Sequence, residues 1–377
     1  SRWDASGTDR KTGNRIGSHT FKAVSQFMLT EYAEGWAYGN KIKRPKEKIM
    51  PHAQDLRNVV QMPRSIPVCL VEGCNRACSF CGLASIREGI GNYKYMSENV
   101  WKKLAWDISV LCPETRVEFA VQGEPMMHPN IVEIVKHFRR CLPKAQIQVT
   151  TNGRVLAKKM QERVEALFRA GLDFVVLDTY NPESPELCAE ARQLEPPIIV
   201  RDFYDDLAPS GWSPWHNHKR KYRNLVCVMQ DLGDRAGERA NRVLDNQAGN
   251  NKLSDALKEP VPHICARPFR DLSVLYDGRI PVCCVDWGKE LIVGNFMDSS
   301  LHDIWNGETF DAIRRALGNK KRAMSPCIGC DYRGTRAHLI PKYDKPKQGD
   351  ELVLREALNA TPENGRTPTV DEILLFQ

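Results

Sequence analysis

The sequence predicts an α/β fold, a partial (β/α)6 barrel followed by a small α+β unit, and three observations carry that reading. From about residue 64, short apolar runs alternate with stretches of helical periodicity, six strands in all. Near residue 255 the rhythm stops, and a segment dense in Cys, Gly and Pro takes over. The chain of 377 residues, 42% hydrophobic and 27% charged, has enough material for one large core and a smaller one.

The first strand is Ile66-Pro67-Val68-Cys69-Leu70-Val71, a continuous apolar run of the kind buried on both faces. Ser97 can cap a helix that places Val100, Trp101, Leu104 and Ile108 on one face. Val117, Phe119 and Val121 alternate as the second strand; Ile131, Ile134, Val135 and Phe138 mark the next helix; Ile147-Gln148-Val149-Thr150 is the third strand. Val164, Leu167 and Phe168 belong to a helix stopped by Gly171. Phe174 to Leu177, Ile198 to Val200 and Leu225 to Val228 are strands four, five and six. Strands separated by helices imply parallel pairing through right-handed crossovers. Between strands five and six, 205–223 is rich in Trp, Pro and His and reads as a loop.

Beyond 255, an Asp277-Gly278 turn between Leu275 and Ile280 suggests a hairpin, and a helix is expected from Ser300 to Leu317, ended by Gly318. The tail from about 336 reads as extended. The expected organisation is an N-terminal extension over 1–63, the barrel over 64–255, the small unit over 256–335 and a tail over 336–377.

Composition narrows the function classes. Thirteen cysteines, in two tight clusters and several singletons, favour metal ligation in a reducing compartment over a disulfide framework. No apolar run is long enough to span a membrane, and residues 1–14 are polar, so a cytoplasmic protein without membrane attachment is expected. A net charge of +7 suits a phosphorylated or nucleic-acid partner and equally an enzyme of neutral substrates. The charge run over 41–48 reads as a solvated arm.

The chemistry centres on Gly73-Cys74-Asn75-Arg76-Ala77-Cys78-Ser79-Phe80-Cys81, three thiols in one short loop after the first strand. Structural zinc takes four protein ligands, whereas a 4Fe–4S cluster on three thiolates keeps one iron open. Gln122-Gly123-Glu124-Pro125 follows the second strand and Thr150-Thr151-Asn152-Gly153 ends the third. A second set, Cys265, Cys283, Cys327 and Cys330, lies in the small unit, with Cys284 an alternative to Cys283. A four-cysteine zinc ribbon is the competing reading of that set.

Together these motifs resemble the radical S-adenosylmethionine (SAM) superfamily over residues 64–335. The resemblance implies a TIM-like partial barrel in which Cys74, Cys78 and Cys81 hold a 4Fe–4S cluster, with Phe80 the aromatic residue of the motif. It implies that Gln122, Gly123 and Glu124 receive the amino group of SAM, Gln122 standing where the family has glycine. Asn152 falls in a family-like position, and Asp178 and Arg201 end strands four and five, where ribose, carboxylate or substrate contacts, or a salt bridge, are expected. The second cysteine set resembles the shortened "twitch" form of the SPASM domain, which implies one auxiliary 4Fe–4S cluster on Cys265, Cys283, Cys327 and Cys330.

The implied reaction is cleavage of SAM to a 5′-deoxyadenosyl radical that takes hydrogen from a small polar substrate, with the auxiliary cluster accepting an electron. Redox-neutral isomerisation or epimerisation is the alternative, with Cys227 as a candidate hydrogen donor. A nucleotide, nucleic acid or peptide substrate is a further alternative, drawn from the charge and from the aromatic and basic 212–222 loop. A flavodoxin- or ferredoxin-type electron donor is the implied protein partner. A non-enzymatic iron–sulfur or zinc scaffold is the reading from another class.

Overall fold

The computed structural model describes residues 62–78, 81–83, 91–203, 223–229, 248, 257, 259–332 and 345–359. The N-terminal extension, the 41–48 charge run and the 212–222 loop lie outside them.

A six-stranded parallel sheet forms the centre. Its strands are β1 (Ser65–Val68), β4 (Arg116–Phe119), β5 (Gln146–Thr151), β6 (Phe174–Asp178), β7 (Ile199–Asp202) and β8 (Leu225–Met229). A two-stranded ribbon of β2 (Val71–Glu72) and β3 (Lys94–Tyr95) stands at the end of β1. Between strands run α1 (Glu98–Leu111), α2 (Ile131–Cys141), α3 (Met160–Ala170) and α4 (Ser184–Ala191). The expected helix faces are the buried ones: Val100, Trp101, Leu104 and Ile108 on α1, and Ile131, Ile134, Val135 and Phe138 on α2. Ser97 is the N-cap of α1 by position, although its side chain makes no capping bond. Gly171 ends α3 with φ +106°, the left-handed conformation that the stop requires.

The strand order departs from simple succession. It runs β1-β4-β5-β6-β8-β7, so the sixth strand of the sequence lies inside the fifth. Burial explains the exchange. Leu225-Val226-Cys227-Val228-Met229 is apolar throughout and fully buried, which demands a neighbour on each side. Ile199-Val200-Arg201-Asp202 ends in charges and tolerates the edge, with Ile199 49% exposed.

The small unit is joined to the barrel through the backbone. Residues 271–274 run parallel to β1 on the side away from β4, with bridges Ser65 to Asp271 and Val68 to Val274. The Val274 N–H donates to the Pro67 carbonyl at 2.9 Å and the Cys69 N–H donates to Val274 at 2.8 Å. One apolar core continues from α1 to α3 into Phe269, Leu272, Val274, Phe296 and Trp305.

Gly278, at φ +91°, sits in the expected Asp-Gly turn, across which the Leu275 N–H donates to the Arg279 carbonyl at 2.9 Å, and the strand that follows, β9 (Arg279–Pro281), has β10 (Ile292–Asn295) as its ladder partner. The single helix expected from Ser300 to Leu317 is two, α5 (Leu301–Trp305) and α6 (Glu308–Gly318), broken at Asn306-Gly307. The tail read as extended contains α7 (Asp350–Asn359), which Asp350 pins to α6 by accepting two bonds from Arg315 at 2.6 and 2.8 Å. Among the described residues no helix is long and apolar enough to cross a membrane.

Candidate active site

The three-cysteine loop leaves the sheet beside the Gly123 turn, and the two are fastened backbone to backbone. Gly73 and Gly123 form a parallel bridge, in which Gly73 N–H donates to Gln122 C=O at 3.2 Å and Glu124 N–H donates to Gly73 C=O at 2.9 Å. A Cβ on Gly123 would stand 2.0 Å from the Val71 oxygen and 2.3 Å from the Gly73 oxygen. Only glycine permits that approach.

From there two further strand ends grip the loop. After β5, the Asn152 amide donates to the Asn75 side chain at 2.8 Å and to the Cys74 sulfur at 3.4 Å, and Arg154 donates to the Asn75 carbonyl at 2.6 Å. After β6, Arg76 reaches out of the loop to the Asn181 carbonyl at 2.8 Å and pairs with Glu183, which Arg154 also engages. Burial alone would raise the Glu183 pKa, but Arg76 and Arg154 outweigh it and hold the carboxylate at about 2. Cys74, Cys78 and Cys81 remain part-exposed, and the Cys81 N–H donates to the Cys78 carbonyl at 3.1 Å. Phe80 lies outside the described residues.

Glu124 is buried beneath this loop. Its carboxylate accepts from Met126 N–H at 3.0 Å, the Thr151 hydroxyl at 2.7 Å and Asn152 N–H at 2.8 Å. Burial pushes its pKa to about 7 against those three donors, with a further upward push from Asp178. A carboxylate offers about four acceptor positions, so these three bonds leave capacity on Oε2 for one more donor. Asp178 accepts from the Tyr180 hydroxyl at 2.6 Å.

Other residues fall elsewhere. Gln122 does not turn its side chain toward the cysteine loop. Its Nε2 donates 3.1 Å to the Asp286 carbonyl of the small unit, and its Oε1 has no partner among the described residues. Arg201 is exposed on the edge strand, in register with Cys227. Cys227 is fully buried among Phe174, Val176, Leu225 and Met229, and burial, reinforced by Asp202 and Asp178, pushes its thiol up to about 12. It therefore keeps its S–H, the form from which a hydrogen atom could be given.

The second set of thiols converges. Cys265, Cys283, Cys327 and Cys330 line one cavity, with Arg267, Arg322 and Tyr332 on its wall. Cys284 does not line it and instead accepts from Arg267 Nη1 at 2.7 Å. Burial raises the Cys265, Cys283 and Cys327 thiols, and neighbouring thiols push Cys283 and Cys327 up further. Among the described residues no three His, Cys, Asp or Glu side chains close on a point fit for a single metal ion. Four soft sulfurs around a shared cavity, with two arginines to offset the charge of their thiolates, suit a polynuclear iron–sulfur group. Three thiols on a part-exposed loop suit one with a free coordination position.

Sequence reasoning missed Arg76, Arg154 and Glu183. Arg76 stands inside the cysteine motif, a position that could have marked it; Glu183 lies 107 residues away and gave no signal.

Comparisons with known proteins bear on the same two regions. The Radical SAM superfamily model matches residues 68–191, and the SPASM iron–sulfur cluster-binding domain model matches residues 265–331. The chain is 26% identical over 262 residues to an S-adenosyl-L-methionine-dependent 2-deoxy-scyllo-inosamine dehydrogenase of Niallia circulans, covering 68% of this chain and 88% of that protein. It is 28% identical over 124 residues to a GTP 3′,8-cyclase of Limosilactobacillus fermentum (strain NBRC 3956 / LMG 18251), covering 31% and 34%. Among solved structures it resembles BtrN in complex with AdoMet and 2-DOIA, with TM-score 0.54 and 20% identity over 73% of this chain and 95% of that one, a likeness of fold.

Proposed function

The chain belongs to the radical SAM superfamily and carries an SPASM domain, and we propose that this oxidoreductase dehydrogenates a small polar molecule. Two 4Fe–4S clusters and SAM are the cofactors, the first cluster on Cys74, Cys78 and Cys81 and the second on Cys265, Cys283, Cys327 and Cys330. When bound, the first cluster and SAM supply a 5′-deoxyadenosyl radical, and the second cluster supplies an electron sink. Residues 64–255 serve as the barrel, and 256–335 as a twitch-type auxiliary module.

The chain's own residues orient these parts. Glu124 takes the SAM ammonium on its remaining acceptor position, Gly123 lets the backbone close behind it, and Asn152 fixes the cysteine loop at that distance. Asp178, tied by Tyr180, is placed at the strand ends for a hydroxyl contact. In such a reaction the substrate would lose a C–H hydrogen atom, one electron and a hydroxyl proton; Glu124 and the three-cysteine loop would hold the group that accepts the hydrogen atom, and Cys265, Cys283, Cys327 and Cys330 the group that accepts the electron. The observation that carries the reading is position. The turn that carries Glu124 touches the unit that carries the four thiols: Gln122, two residues before Glu124, donates 3.1 Å to the carbonyl of Asp286, three residues after Cys283.

A redox-neutral epimerase is the second reading, favoured by the neutral, buried Cys227. The proposed reductant is a flavodoxin- or ferredoxin-type protein, and the proposed setting is a reducing cytoplasm in which thirteen free cysteines persist. The test is iron and sulfide content after anaerobic reconstitution, followed by product analysis. About eight irons per chain, falling to about four in a Cys74→Ala, Cys78→Ala, Cys81→Ala variant, and 5′-deoxyadenosine equal to carbonyl product, are expected. 5′-Deoxyadenosine equal to an inverted product that carries solvent hydrogen at the new centre, with no carbonyl, would favour the epimerase.

A further inference from the structure

Side chains alternate between the two faces of the central sheet, and the faces differ in kind. Val117, Phe119, Ile147, Val149, Val175, Leu177, Val226 and Val228 pack on the helices. The opposite, inner face is divided down its middle. On β6 and β8 it carries Phe174, Val176, Leu225, Cys227 and Met229, an apolar cluster of its own. On β4 and β5 it carries Arg116, Glu118, Gln148 and Thr150.

Most of that polar half is already paired. The Thr150 hydroxyl donates to Glu118 Oε1 at 3.1 Å, and Arg116 faces Glu118 Oε2 at 3.5 Å and donates to the Ser65 hydroxyl at 3.0 Å. Gln148 is the exception. Its exposure is 0%, and neither its Nε2 nor its Oε1 has a hydrogen-bond partner among the described residues. A buried amide without partners is an unpaid desolvation cost, and native proteins rarely keep one without a use. Its register neighbours are Glu118 on one side and Phe174 on the other, which puts it on the seam between the polar and apolar halves.

We infer that Gln148, backed by Glu118 and Thr150, is the residue that grips the substrate, and that the substrate is a small polyhydroxylated ring. The inference rests on the dehydrogenase reading above and names its substrate class. An amide presents donor and acceptor side by side, the complement of two adjacent hydroxyls. Such a ring also has a C–H surface, which matches the apolar half across the seam. The charge of Glu118 is shared with Arg116 and Thr150, so the group left unspent is neutral and selects hydroxyls in preference to an anion. Placement fits the chemistry. Two residues along β5 from Gln148, Thr150 bonds Glu118; the next residues, Thr151 and Asn152, bond Glu124. A ring held by Gln148 thus lies on the strand that ends at the SAM side.

The experiment uses the full chain with both clusters reconstituted, SAM present, and three probes: 2-deoxy-scyllo-inosamine, myo-inositol and cyclohexanol. Binding is read by calorimetry and by ligand-induced thermal shift, and turnover by deuterium transfer from C-deuterated probe into 5′-deoxyadenosine. Expected is binding of one or both hydroxyl-rich rings and none of cyclohexanol. Gln148→Leu, on samples matched for iron content, should raise KM for the bound ring about tenfold or more, lower kcat less, and abolish the thermal shift. Gln148→Asn, which keeps the amide but shortens its reach, should lie between the two and serves if the leucine variant does not fold. Affinity and KM within about twofold of wild type in either variant would overturn the role of Gln148. Cyclohexanol binding as well as the rings, or no ring binding, would overturn the substrate class. Failure of the wild type to cleave SAM would sink the dehydrogenase reading instead, and calorimetry would still decide whether Gln148 holds the ring.

Discussion

Cys74, Cys78 and Cys81 lie within one part-exposed loop held by polar side chains from other strand ends, whereas Cys265, Cys283, Cys327 and Cys330 come from separated segments. The first loop owes its shape to Asn152, Arg154 and Glu183 and to one glycine contact. The second site is walled by Val282, Leu317 and the apolar cluster beneath them. A site held from outside can keep its shape without its metal and leave a position open. A site of desolvated sulfurs, whose thiolates would repel one another, gains its ligand form only with the metal.

The largest expected effect follows from that difference. Cys327→Ala should cost the second cluster and lower the melting temperature of the reconstituted protein by roughly 10 °C, because metal affinity there is folding energy. The triple alanine variant of the first loop should lose its irons with a shift of only about 3 °C or less. Equal shifts in the two variants, read by calorimetry, would break the comparison.

Gly123→Ala tests the backbone clamp on the first site. Its methyl group cannot fit 2.0 Å from a carbonyl oxygen, so the cysteine loop must separate from the turn. The expected cost is about 3 kcal/mol, together with loss of first-site iron and retention of second-site iron. Iron near wild-type content would show that the loop can re-form without the clamp.

The smallest effects concern acid response, where two carboxylates beside the first site act in opposite directions. Glu183, held at about 2, is depressed from its usual 4.5, so the stability it contributes is present above pH 4.5 and is lost as pH falls through 2. Glu124, raised to about 7, binds a proton in the folded protein that the unfolded chain has released. Unliganded stability should therefore fall from pH 4.5 to 7 and flatten above, while SAM affinity weakens as pH drops below 7. Urea midpoints from pH 2 to 8, with Glu183→Gln and Glu124→Gln as references, separate the two slopes; a Glu124→Gln protein with the same slope as wild type between pH 4.5 and 7 would refute the assignment.

How far the sequence disclosed these sites depended on how local each one is. The three-thiol spacing and the Gly-Glu-Pro turn are contiguous, and the strand and helix faces follow from periodicity, so both were legible. The exchange of β7 and β8 was not, because both read as short apolar runs and only burial on two edges ranks them. The motif places Gln122 beside Gly123 and Glu124, but nothing in it announces that the Gln122 side chain bonds Asp286, 164 residues away. The choice between Cys283 and Cys284 likewise needed the cavity, since adjacent residues differ there only in direction. In the sequence Gln148 is only a residue of a strand, because lack of a partner is a property of three-dimensional surroundings.

The exposed edge strand β7 has a consequence for change over generations. Its side chains alternate between exposed and half-exposed, and none of them lines the four-thiol cavity. Substitutions at such positions usually shift stability by only about 0.5 kcal/mol either way. Mutations can therefore accumulate along Ile199 to Asp202 at little cost to the clusters, which makes this seam the part of the barrel most open to drift and to the trial of new chemistry.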